Sequence, residues 1–229
     1  MCPLSGWQFL NLVIDVIFGK NQHINPLVMD KNRMISQIQK NKFKDKDYKW
    51  AYSNFGFSLI GYAIGTVSGK GYWDTMNDFL SNELCLKNAH LGALSGKSVK
   101  GYTTKNKECD NWQWDKENLI TPAGAINLTA EDLLIYAKIN MNEEKPYINL
   151  CHQKHAHGPK NYDMGLGWWL HKENNSIIEH DGGTGCFSTY LGIDKSKKVA
   201  SVVLANYRLG SCVEKIGVSI LRNLQKNYE

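Results

Sequence analysis

Hydrophobic positions along the chain change their period once, near residue 165. Before that point the spacing is helical. Leu59, Ile60, Ala63, Ile64 and Val67 recur at the interval of one helix face, and the Ser68-Gly69-Lys70-Gly71 turn separates them from a second helix carrying Met76, Phe79 and Leu80. Together these predict a helical hairpin. Thr129 and Asp132 have the spacing of a capping box, and Leu133, Leu134 and Ala137 continue it as a helix just after the small-residue loop from Thr121 to Asn127.

Beyond Gly165 the runs become short and rich in β-branched and aromatic residues. Gly165 to His171, Ser176 to His180, Cys186 to Ile193 and Val199 to Ala205 predict antiparallel strands, with Asp194 to Lys198 as the hairpin loop between the last two. Val213, Ile216, Ile220, Leu221 and Leu224 then mark one face of a closing helix. The order predicts an α+β fold, an antiparallel sheet flanked by helices plus a helical region. With no repeat, low-complexity tract or Pro- or Ser-rich linker, residues 1–229 read as a single domain.

Composition excludes several classes. Of 229 residues, 42% are hydrophobic, 11% aromatic and 21% charged, enough apolar surface to build a core and too much for a disordered chain. The longest apolar stretch, Trp7 to Phe18, is interrupted by Asn11 and Asp15 and falls short of the roughly 18 residues that a membrane-spanning helix needs. A basic leader with a small-residue cleavage site is not recognisable in it, so no address is expected from residues 1–229 as they stand. The net charge of +5 does not point to nucleic acid, because the densest basic run, Lys40 to Lys49, is interleaved with Asp45 and Asp47 and reads as a solvated loop. Six cysteines without a C-x-x-C pair are too few for a disulfide scaffold; Cys85 and Cys186 lie in apolar strings and are expected to pack as small buried hydrophobes. The redox compartment is left open.

Three groups of residues could carry chemistry. In Tyr52-Ser53-Asn54, just before the first predicted helix, an extended backbone would turn a phenol and a carboxamide to the same side, although both types also serve as packing and capping residues. In His180-Asp181-Gly182-Gly183-Thr184-Gly185, a strand delivers a histidine followed by bare backbone that a substrate could approach closely, with an N–H able to face an oxyanion; a plain glycine-rich hairpin is the alternative. Neither these glycines nor Gly92 to Ser98 have the spacing of a phosphate-binding loop. Cys151, His152, His155 and His157 are of metal-binding types, but their spacing fits no standard motif and Lys154 and Lys160 add like charge, so a mobile polar loop is expected. No metal and no cofactor is expected.

Taken in order, the segments resemble the serine β-lactamase and penicillin-binding-protein superfamily, especially class C β-lactamases and their DD-peptidase and esterase relatives. Tyr52-Ser53-Asn54 is similar to that group's Tyr-x-Asn motif, Pro122 to Ala137 to its small-residue loop and helix, and Met164-Gly165-Leu166-Gly167-Trp168 to its Gly-Leu-Gly-Trp strand. His180-Asp181-Gly182 stands where the group has Lys-Thr-Gly or His-x-Gly, and Ser5-Gly6 resembles its Ser-Gly turn. The resemblance implies acyl transfer through a serine acyl-enzyme on a lactam, a D-amino-acid peptide or an ester. It gives Tyr52 the role of proton relay, Asn54 that of holding the acyl-side amide, and His180 that of assisting the tyrosine or anchoring a carboxylate. Gly183 N–H becomes an oxyanion donor, and Gly182 and Thr184 line the substrate.

One departure is large. The group's nucleophile is the serine of Ser-x-x-Lys, and no serine of this chain has lysine three positions later. The expectation is therefore an N-terminally truncated member, inactive alone, or a non-catalytic relic or binding module that keeps the cleft. A missing front would leave a strand edge unpaired and helix faces uncovered, inviting self-association. The resemblance alone suggests the cell envelope or exterior. Histidine, with an ordinary pKa near 6.5, is a weaker anion anchor than lysine, which favours a peptidase-like or esterase-like member over a dedicated β-lactamase.

Overall fold

Asp30, Ser53 and Thr129 each cap a helix start in the computed structural model, which describes residues 27–41, 44–92, 98–208 and 211–227. Trp7 to Phe18, Ser5-Gly6 and residues 93–97 of the Gly92 to Ser98 segment lie outside the described residues. The described chain divides into two compact units, one holding described residues of 27–85, 89–127 and 184–186, the other 86–88, 128–183 and 187–227. No helix among the described residues is long and apolar enough to cross a membrane.

Among the described residues of the first unit, helix α1 (Lys31–Lys40) is capped by Asp30, whose carboxylate accepts from Arg33 N–H at 2.8 Å. Helix α2 (Asn54–Ser68) starts at the Ser53 hydroxyl, which accepts from Gly56 N–H at 2.9 Å, and ends at Gly69, where φ of +70° suits a residue without a side chain. Phe55, Leu59 and Tyr62 pack with Leu27, Met29, Met34 and Ile120. The expected inner face of α2 is only partly the real one. Leu59 turns inward, but Ile60, Ala63, Ile64 and Val67 are exposed, and the fully buried positions are Ser58, Gly61 and Gly65. The reason is proximity: a Cβ on Gly61 would collide with the Pro122 ring in the 3-10 turn Thr121–Ala123, so the small-residue side is the side that fits. Helix α3 (Tyr72–Asp78) completes the predicted hairpin and continues into a π turn, Phe79–Glu83, that buries Leu80. Two short antiparallel pairs follow, β1 (His90–Leu91) with β4 (Ile126–Asn127) and β2 (Gly101–Tyr102) with β3 (Glu108–Cys109).

Cysteine placement differs from expectation. Cys186 is buried but disulfide-bonded to Cys109, and Cys85 is free and exposed rather than packed inside. The fold supplies the pairing, since 77 residues separate the two partners.

The second unit is a layered α+β arrangement. Helix α4 (Ala130–Asn142) is capped as predicted: Thr129 Oγ1 accepts from Asp132 N–H at 3.1 Å, and the buried Asp132 carboxylate accepts from Asn88 N–H at 3.0 Å. After α5 (Pro146–Cys151) the chain forms β5 (Ala156–His157), β6 (Tyr162–Met164), β7 (Trp169–His171), β8 (Ile177–Thr184), β9 (Phe187–Asp194) and β10 (Val199–Ala205), in the sheet order β10-β9-β8-β7-β6-β5. One face packs Trp168, Leu170, Ile178, Leu191 and Ile193 with Ala137 of α4. Closing helix α6 (Cys212–Asn227) buries Val213, Gly217 and Leu221, while Ile216 and Ile220 of the predicted face are exposed. Again a close approach selects the face, because a Cβ on Gly217 would meet the Tyr190 ring.

The segment expected to be a mobile polar loop is instead ordered. Cys151 ends α5, and His152 is buried edge-on to Trp168 with its ring nitrogens 2.7 Å from Glu143 Oε1 and 3.1 Å from Asn140 Oδ1. Burial holds the His152 imidazole below its ordinary pKa, against the opposing pull of Glu143. His155 Nε2 lies 2.9 Å from the Leu150 carbonyl, and His157 sits on β5. Among the described residues no group of His, Cys, Asp and Glu converges on a metal position.

Candidate active site

Tyr52 precedes α2 with 53% of its surface exposed, and Asn54 is the first helical residue. The extended backbone ends at Ser53, with φ −148° and ψ 102°, so Asn54 is helical rather than extended as expected. Because Ser53 supplies the cap, the start of the helix does not use the Asn54 carboxamide, and the Asn54 backbone carbonyl accepts from Ser58 Oγ at 3.0 Å.

His180, Gly182, Gly183 and Thr184 all lie on β8. The glycines were expected to form bare backbone between two strands; the structure keeps them in the strand, and the turn is reduced to Gly185 and Cys186. Strand β8 is held unequally along its length. Its ladder with β7 pairs Trp169 with Glu179 and Leu170 with Ile178, and among the described residues that ladder extends no further than Glu179. His180 is half-buried, and Asp181, Gly182 and Gly183 are exposed. From His180 onward the strand therefore offers main-chain groups along one side, a form that an extended segment can pair with. A Cβ at Gly182 would come within 3.2 Å of Thr189 Oγ1, so bulk there would press on the neighbouring strand.

Tyr52, Asn54 and Thr184 belong to the first unit, and His180, Gly182 and Gly183 to the second. Thr184 lies against Gly124, where an added Cβ would sit 3.4 Å from Thr184 Cγ2 and 3.5 Å from the Trp114 ring.

Sequence reasoning missed Glu179, the residue before His180. Its buried carboxylate accepts from Tyr162 Oη and Tyr190 Oη, each at 2.6 Å, and lies 3.4 Å from His171 Nε2. Burial alone would raise this carboxyl, but His171, Tyr162 and Tyr190 outweigh it and hold Glu179 below the usual carboxylate range. Asp181 on the same strand and Glu214 of α6 add negative charge nearby, and Glu214 is pushed up by burial and by the charges of Asp181 and Glu179. An acidic residue inside an apolar strand run was the available signal.

The beta-lactamase family model matches residues 14–215, most of the chain and both units. The chain belongs to the beta-lactamase family. Among curated relatives of this family member, Protein flp of Staphylococcus aureus (strain MW2) is 23% identical over 205 residues, covering 84% of this chain and 39% of its own length. A solved class C beta-lactamase superposes with a TM-score of 0.71 at 19% identity, covering 91% of this chain and 67% of that one. A beta-lactamase/D-alanine carboxypeptidase from Pseudomonas syringae gives 0.69 at 14% identity, over 88% and 66%. At these identities the structural matches establish the fold, and the chain spans about two fifths of the length of Protein flp.

Proposed function

We propose that the protein belongs to a serine acyl-transfer hydrolase of the β-lactamase and DD-peptidase type, acting on a lactam, a D-amino-acid peptide or an ester. The observation that carries this reading is the one-sided strand from His180 to Thr184, which presents exposed glycine backbone beside a half-buried histidine. In the reaction a serine attacks the acyl carbonyl, the leaving group departs with a proton, and water releases the acyl group. Tyr52 is the proton relay, and Asn54 holds the acyl-side amide. His180 assists the relay or anchors a substrate carboxylate, Gly183 N–H stabilises the oxyanion, and Gly182 and Thr184 line the bound substrate. The nucleophile comes from a Ser-x-x-Lys element encoded upstream, since no serine within 1–229 has lysine at the third following position.

Both units are parts of one catalytic domain in this reading, which the family match across them supports. The Cys109–Cys186 disulfide favours an oxidising location such as the cell envelope or exterior. Exposed apolar side chains on α2 and the outer strand β10 favour self-association of this chain alone.

Labelling with a fluorescent penicillin tests the reading. Residues 1–229 alone should remain unlabelled, and the chain extended upstream through a Ser-x-x-Lys element should form a covalent adduct that Tyr52→Phe slows by about 10²-fold or more. Serine-dependent labelling of 1–229 would refute the upstream nucleophile. An extended chain that binds the penicillin reversibly without an adduct would identify a binding module instead.

A further inference from the structure

The turn that ends the candidate substrate strand is held both covalently and by packing. Cys186 is covalently bonded to Cys109 at the end of β3. Gly185, at φ +56°, lies against Trp112 so closely that an added Cβ would be 3.0 Å from the indole Cδ1. Thr184 lies against Gly124. These three residues group with the first unit, whereas the strands on either side of them group with the second.

The segment that receives the turn is itself braced. Trp112 N–H donates to Asn111 Oδ1 at 2.8 Å, Asn111 Nδ2 to Asn127 Oδ1 at 3.1 Å, and Asn127 Nδ2 to the Gly92 carbonyl at 2.8 Å. A relay of amides thus connects the stretch after Cys109 to β4. On the other side of the turn, the ladder of β8 with β7 pairs no residue beyond Glu179 among the described residues. The half of β8 from His180 onward is therefore tied by β9 along one side and by the disulfide at its tip.

We propose that Cys109 and Cys186 are positioning residues for the substrate strand: their disulfide fixes Gly182 to Thr184 in the register that binds the acyl substrate, and a dithiol reductant releases it. This rests on the acyl-transfer reading for the identity of the ligand. In the release step a dithiol gives two electrons and two protons; the Cys109–Cys186 bond breaks, each sulfur becomes a thiol, and the dithiol closes to its own disulfide. The turn then loses its covalent anchor and keeps noncovalent contacts, and the end of the strand frays.

Hydrogen exchange of residues 1–229, read by mass spectrometry with and without dithiothreitol and in the Cys109→Ser/Cys186→Ser variant, tests the restraint. Amides of residues 182–187 should exchange about tenfold faster in the reduced and the variant protein, while those of β9 and β10 from Leu191 to Leu204 stay protected. Unchanged exchange at 182–187 would overturn the proposal, and so would an equal acceleration through β9 and β10, which marks a general staple. In the upstream-extended protein, reduction should raise the penicillin concentration for half-maximal labelling several-fold and change the saturating labelling rate less. The reverse split would overturn positioning. Failure of every form to label would refute the acyl-transfer reading while leaving the exchange result to stand by itself.

Discussion

Tyr190 Oη donates a hydrogen bond to Glu179 Oε2 at 2.6 Å in the buried interior of the second unit, one residue before His180 on β8. Tyr162 Oη donates to the other carboxylate oxygen, and burial together with Glu179 raises both phenols well above their ordinary pKa. The carboxylate thus ties β6 and β9 to the strand that carries the candidate histidine, and Gly217 of α6 leaves room for the Tyr190 ring. Hydrogen bonds to a charged group contribute roughly 1.5–3 kcal/mol each, so this junction contributes substantially to a domain stability of about 5–15 kcal/mol.

Replacing Glu179 by Gln removes the charge from that junction. A carboxyl held below its ordinary pKa contributes stability that is present above the unfolded value, near 4.3, and lost as pH falls through the lower folded value. The parent protein should therefore lose Tm as pH falls from about 5 toward 3. Glu179→Gln should have a lower Tm at pH 7, by the equivalent of about 1.5–3 kcal/mol, with a shallower acid slope. Thermal melts across this range check both effects; an unaltered slope would mean that the carboxylate form is not favoured by folding.

Glu214 has the opposite sign. Its carboxyl is raised by burial and by Asp181 and Glu179, so its contribution is favourable at low pH and lost as pH rises through the raised folded value. Glu214→Gln should stabilise the protein at pH 7 by a few tenths of a kcal/mol, a modest gain because the side chain is largely solvated, and the gain should vanish near pH 3. Paired melts of this variant and the parent at the two pH values measure it.

Phe57, Ile60, Ile64 and Val67 form an exposed stripe along α2, with Val67 89% exposed. Ile64→Lys combined with Val67→Lys should shift the chain toward monomer in size-exclusion chromatography with light scattering, with little change in Tm, since neither side chain belongs to the packed cluster around Ile120. Association that is unchanged in this double variant would point away from α2.

Element types were legible in the sequence wherever a local signal sets them. Thr129 with Asp132, the Ser68 to Gly71 turn and the Asp194 to Lys198 hairpin all formed as their chemistry dictates. Faces were less legible, because hydrophobicity alone marks Ile60 and Ile64 as interior while the decision belongs to Pro122, which only a helix side bearing Gly61 can approach. Short strands β5 and β6 gave no periodic signal over so few residues. At the candidate site, Tyr52, Asn54 and the His180 to Thr184 run are motifs that the sequence alone singles out. The phenol partners of Glu179 and the Cys109–Cys186 pairing depend on residues 11 to 77 positions away, beyond what spacing encodes.

The corner at Asp194 also bears on the order in which the chain acquires its structure. This buried carboxylate accepts from Ser196 N–H at 3.0 Å, Lys197 N–H at 3.2 Å, Ser176 Oγ at 3.0 Å and Gln225 Nε2 at 2.7 Å, closing the β9–β10 hairpin and reaching the start of β8 and the end of α6. Contacts near in sequence form early because little loop entropy opposes them, whereas joining Cys109 to Cys186 closes a loop of 77 residues. The hairpin with α6 is then the expected nucleus, with the disulfide expected to form on a scaffold already built. In stopped-flow refolding Asp194→Asn should slow the folding limb, and Cys109→Ser should chiefly speed unfolding; the opposite pattern would place the nucleus in the other unit.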